Sequence, residues 1–195
     1  MKQFLIYVFI LLSLSACKKN LSVFWEDDDA ENLVVFSNTG NNIMSCYTNG
    51  NPFNTVARTM RTSFPERLYS FELNVGRHLM DSLKITWYGN KINEFGTSEE
   101  TISVVFYVNK NFTLGEFNAL SGQRLRLDGK NGYFLMKSRG EEKGTGNIYF
   151  HKAESNIVNG EAEGEISGLF DAQFADMKIT KGRFDHYLVS RLLRL

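Results

Sequence analysis

Beyond residue 32 the chain reads as one short strand-like run after another, several alternating apolar and polar residues with a period of two, broken at short intervals by Gly, Asn or Asp. That pattern restricts it to strands, because only a pleated strand sends successive side chains to opposite faces. Leu68–Val75 places Phe71, Leu73 and Val75 on one face, and Leu83–Trp87 repeats the period. Ile102–Val108 is more continuously apolar, as a strand covered on both faces would be. Leu33–Phe36 is a short β-branched run closed by Asn38-Thr39-Gly40.

Arg124–Leu127 and Tyr133–Met136 flank Asp128-Gly129-Lys130-Asn131-Gly132, where Asp and Asn before Gly suit positive φ; this predicts a hairpin. Gly140 to Gly146 is expected to be a second loop. Strands are expected at Asn147–His151, Glu165–Phe170, Met177–Thr180 and Gly182–Phe184. No window carries an apolar stripe at helical spacing over three turns, and Arg77–Leu83 is the place expected for an irregular or helical turn. The expectation is an all-β fold, an antiparallel β-sandwich or β-barrel-like domain over residues 32–195, with at most one short helix.

The start of the chain obeys different rules. Lys2 supplies a positive charge, Phe4–Leu14 is almost unbroken apolar sequence, and small residues follow. This is the layout of a secretory signal, with an apolar run too short to span a bilayer comfortably. Its end, Leu14-Ser15-Ala16-Cys17, resembles the lipobox of bacterial lipoproteins. The resemblance implies removal of residues 1–16, a diacylglyceryl group on the Cys17 thiol and acylation of the new amine. Two or more acyl chains anchor stably, since each buried methylene contributes about 0.8 kcal/mol. The protein's first partner is then the membrane, and residues 17–31, ending in Glu26-Asp27-Asp28-Asp29, read as a lipidated tether.

Cleavage removes Lys2 and leaves 21 basic against 22 acidic residues. A near-neutral balance offers no field of one sign to attract nucleic acid, and an envelope location argues against it further. Lipidation also leaves Cys46 without an internal disulfide partner. Its neighbours Met44 and Tyr47 suggest a buried small hydrophobe rather than a reactive nucleophile.

Three segments carry a wider likeness. Thr39–Ile43 with Cys46–Phe53, Leu114–Leu120, and Ile166–Phe170 with Ile179–Asp185 together resemble a family of small lipoproteins of unknown function from Gram-negative bacteria of the gut type. The resemblance implies a β-sandwich lipoprotein and brings no activity with it.

Candidate sites are few. His78, His151 and His186 lack the spacing of a metal site, and no serine sits in a Gly-x-Ser-x-Gly elbow. No cofactor is implied. Trp87 and Tyr88, at a strand end, are candidates to stack on a sugar. The alternation supplies a competing reading, in which Trp87 fills the core and Tyr88 faces outward, so Tyr88 is the better candidate. Asp81-Ser82-Leu83 resembles a bacterial O-glycosylation acceptor, with Ser82 carrying the glycan if it lies in an exposed turn. The functional expectation is a membrane-anchored envelope protein with a non-enzymatic binding or accessory role toward a glycan, a peptide or an envelope protein. The alternative is a hydrolase acting on polysaccharide or another envelope or dietary polymer. Lys18-Lys19-Asn20 after the cysteine, with acids only from Glu26, favours the periplasmic side of the outer membrane.

Overall fold

The computed structural model describes residues 26–27, 29–55, 58–60, 67–69, 71–76, 82–93, 96–109, 112–137, 140–158 and 161–188. Their strands are β1 (Glu26–Asp27), β2 (Ala30–Val34), β3 (Ile43–Thr48), β4 (Asn51–Thr55), β5 (Arg58–Met60), β6 (Arg67–Tyr69) and β7 (Phe71–Gly76). Then come β8 (Ser82–Asn93), β9 (Gly96–Tyr107), the helix α1 (Leu114–Asn118), β10 (Arg124–Leu127), β11 (Gly132–Lys137), β12 (Glu141–Val158), β13 (Glu161–Gln173) and β14 (Lys178–Leu188).

One antiparallel sheet closes on itself. Going round it, β3 pairs with β4, β4 and β7 with β8, β8 with β9, β9 with β11, and β11 and β10 with β12. From there β12 pairs with β13, β13 with β14, and β14 with β3. This is an eight-position up-and-down barrel, in which each strand position lies beside the preceding one in sequence. Closure removes the open edges that would otherwise invite another chain to pair. Of the two architectures left open by the alternation, the sheet takes the closed one.

Two strand positions are each built from two pieces. Both β4 and β7 run antiparallel to β8, at 89–91 and 82–87, with the β5–β6 ribbon between them in sequence. Likewise β10 and β11 both run antiparallel to β12, so they point the same way. The hairpin expected at Asp128–Gly132 is therefore an outward loop within one strand position, not a reversal. Its turn chemistry is real: Asp128 Oδ1 accepts from the Lys130 and Asn131 amides, and the Gly129 amide donates to the Gly132 carbonyl. Those local bonds tighten a loop without fixing the direction in which the chain leaves it. Direction is set by β12, whose single edge takes both pieces. The reversal comes between Lys137 and Glu141 instead, and the loop expected over Gly140–Gly146 is mostly β12. Gly144 belongs there because an added Cβ would sit 2.7 Å from the Phe174 ring.

The interior is aromatic. Trp87, Phe53, Phe134, Phe150 and Phe184 are all fully buried. Trp87 stacks on Phe170 at 5.4 Å between centroids and lies 5.1 Å from Phe184. The seam between β13 and β14 shows how such bulk fits: Gly168 faces Phe184 and Phe170 faces Gly182. A Cβ on either glycine would come within 2.7 Å of the opposing ring, so large and small side chains alternate across the seam.

The one described helix is α1, not the Arg77–Leu83 turn; Ser82 and Leu83 already belong to β8, while residues 77–81 lie outside the described residues. Thr113 Oγ1 accepts from the Glu116 amide, and the Glu116 carboxylate accepts from the Thr113 amide, a reciprocal cap. Fully buried Phe117 joins the core, and Asn118 ties the helix to Ser155 of β12 through Oδ1 and Nδ2.

The expected tether also needs correction. Residues 17–25 and 28 lie outside the described residues, but Glu26 and Asp27 are in β1, and Ala30 is buried in β2. Folded chain therefore takes in residues assigned to the tether, because Ala30, Leu33 and Val34 supply an apolar face to bury.

Candidate functional site

Side chains on β14 alternate between two buried environments. Gly182, Phe184, His186 and Leu188 enter the barrel, and Arg183 and Asp185 face outward beneath the segment 29–42. Inside, Trp87 Nε1 donates to His186 Nε2 at 3.1 Å. The bond requires an unprotonated Nε2, and burial drives the His186 pKa down to about 3. Burial pushes the Cys46 thiol far above its ordinary range, and the Glu100 carboxyl adds to the effect. Cys46 is thus a packed apolar group, far from the electropositive setting of a reactive thiol. Glu100 is itself buried, with Oε2 lacking a hydrogen-bond partner among the described residues.

Outside, the Asp185 carboxylate gathers a loop. It accepts from the amides of Thr39, Gly40 and Asn41 at 2.9–3.2 Å and from the Ser37 hydroxyl. Gly40, at φ +74, gives the loop a left-handed turn that L side chains rarely adopt. Arg183 Nη1 donates to the Val34 carbonyl, and Ser45 Oγ accepts from the Val34 amide. The Thr39–Asn41 stretch and Asp185, from the first and last segments of the family likeness, are therefore bonded to each other.

This patch also gathers hydroxyls, a carboxylate and an imidazole, the groups of a nucleophilic triad. Their bonding is different. Ser37 donates to Asp185 directly, His151 Nε2 contacts Asn38 Nδ2 at 3.2 Å, and buried Ser167 Oγ has no hydrogen-bond partner among the described residues. Among the described residues, no imidazole stands between a hydroxyl and this carboxylate as it would in a triad. Among the described residues, no three His, Cys, Asp or Glu side chains converge in a metal-binding group.

Beside the patch lies an exposed face of β10, β12 and β13. Two rows cross it: Arg124, Tyr149 and Leu169 in register, then Arg126, Asn147 and Asp171. Leu127 turns into the core and Leu125 packs against it, which sends Arg124 and Arg126 outward. Arg124 lies 5.9 Å from the Tyr149 ring centroid, and Asn147 Nδ2 donates to Asp171 Oδ1 at 3.3 Å. Past Tyr149 the rings continue, with His151 edge-on to Tyr149 at 6.3 Å and Phe36 edge-on to His151 at 5.5 Å. A half-buried aromatic ring bordered by planar polar groups can hold a ligand having one apolar and one polar side.

The residues singled out from sequence are not brought together here. Trp87 is sealed in the core with no surface to offer a ligand, so the core reading of its alternation applies. Tyr88 is half-buried on β8, opposite Thr101. Ser82 opens β8, half-buried and paired with Tyr107, rather than lying in an open turn. Cys17 lies outside the described residues. The face around Tyr149 escaped the sequence reading because its rows join three strands. The alternation Arg124-Leu125-Arg126-Leu127 was visible, but its partners were not. The chain matches no protein-family model, no curated protein and no solved structure.

Proposed function

We propose that this protein is a lipid-anchored envelope lipoprotein whose β-barrel has a non-enzymatic binding or accessory role, toward a glycan, a peptide or an envelope protein. The observation that carries the reading is Leu14-Ser15-Ala16-Cys17 at the end of an apolar leader. The likeness to small lipoproteins of gut-type bacteria points the same way. The position of β1 adds a physical consequence. Glu26 is in β1, so the chain from Cys17 to β1 spans at most about 30 Å when fully extended. Lipidation would hold the barrel close to the bilayer, with the exposed Tyr149 face available to a partner.

Labelling cells with an alkyne-bearing fatty acid tests the anchor. The wild-type chain should incorporate label and partition with membranes, and Cys17→Ala should lose both. Incorporation into the Cys17→Ala protein would overturn the assignment. We place the protein at the periplasmic side of the outer membrane; protease treatment of intact cells should leave it uncut, and digestion would put it on the surface.

A further inference from the structure

We propose that the outer face of β10, β12 and β13 is a subsite for an acidic saccharide, its sugar ring resting on Tyr149 and its anionic group on Arg124 and Arg126. The inference deepens the binding role proposed above and rests on it.

The dimensions fit. Neighbouring strands lie about 4.8 Å apart, and same-face residues along a strand about 6.8 Å apart. The two rows therefore cover roughly 10 by 7 Å, on the scale of one or two pyranose rings. At the centre, Tyr149 is half-buried between Arg124 and exposed Leu169, which holds it in place yet leaves part of its surface open. A pyranose carries C–H groups on one face and hydroxyls around its rim. The aromatic ring suits the first, and the Asn147–Asp171 pair supplies donors and acceptors for the second.

Charge selects the subclass of ligand. Arg124 and Arg126 project from the same side of β10, and neither guanidinium is paired with a carboxylate among the described residues. Each keeps planar donors in the fork geometry that matches a carboxylate, sulfate or phosphate. Asp171, the acid in the array, lies across Asn147 and already accepts from its amide. Asp171 is thus two strands away from Arg126, with Asn147 between them. A neutral sugar would leave the arginines unused. A protein surface of matching charge would be a different kind of partner, and the experiment separates the two.

The test uses the full chain in detergent and isothermal titration with a galacturonic-acid tetramer, its methyl-esterified neutral form and a sulfated galactan oligosaccharide. At least one acidic probe should bind ten-fold or more tightly than the neutral form. Arg124→Gln with Arg126→Gln should remove most of that preference. Tyr149→Ala should weaken both acidic and neutral probes at least ten-fold, with an unchanged thermal midpoint showing that the barrel is intact. Saccharide binding that survives all three substitutions would overturn this subsite and leave the binding role standing. Absence of binding to all three probes, with capture of an envelope protein that Tyr149→Ala abolishes, would also overturn it, in favour of a protein partner at the same face.

Discussion

The two sides of β14 are both buried, and they are held by different forces. Toward the barrel axis, Phe184 and Leu188 pack among aromatic rings, and His186 meets the indole of Trp87. Toward the outside, Arg183 and Asp185 are buried by a loop whose backbone they hydrogen-bond. The inner side gains from removing apolar surface from water and is stable only when filled. The outer side gains little from area; its buried charge is tolerated because donors surround it. One strand therefore joins a core that should fail globally to a strap that should release locally.

The largest expected effect breaks the inner side. Phe184→Ala would empty the space opposite Gly168 and remove ring contacts with Trp87, Phe150 and Phe170. A loss of about 4 kcal/mol is expected in chemical denaturation, in one cooperative transition. A loss under 1 kcal/mol would mean the seam can collapse around the gap.

Asp185→Ala probes the outer side. It orphans three backbone amides, and a cost of about 2–3 kcal/mol is expected. The informative readout is hydrogen exchange. The amides of Thr39–Asn41 should exchange much faster while those of Ile148 and Phe150 stay protected. Equal acceleration in both places would erase the distinction between strap and core.

Acid sharpens the comparison, because burial holds the His186 pKa at about 3 in the folded protein, against an ordinary 6.5 for imidazole. Between those limits the unfolded chain binds the additional proton, so stability present above pH 6.5 is lost as the pH falls. At pH 5 the loss from this group is about 2 kcal/mol. His186→Gln should remove that part of the slope; an unchanged pH profile would show that other groups set the acid limit.

The smallest effect concerns the helix. Thr113→Ala removes an N-cap, and a loss of about 1 kcal/mol is expected, read as a lowered thermal midpoint. An unchanged midpoint would show that Phe117 packing alone holds α1.

Much of the strand content was legible, since a period of two is a local property that one chain carries by itself. Leu83–Trp87 falls within β8 for that reason. The cap of α1 was also written in the sequence, as Thr113-x-x-Glu116, but five residues are too few to show a helical stripe. The Asp128–Gly132 loop misled for the opposite reason: its turn residues are real, and its direction is not a local property.

The sequence by itself determined an all-β chain and the placement of Trp87 on an alternating strand. Each follows from backbone geometry and the spacing of apolar residues over a few neighbours. Tertiary structure alone decided that the sheet closes, that β10 and β11 share one edge of β12, and that Asp185 gathers Thr39–Asn41. It likewise placed Arg124, Tyr149 and Leu169 in one row. Such contacts join residues far apart in the chain, and they exist only once the strands have paired around the closed sheet.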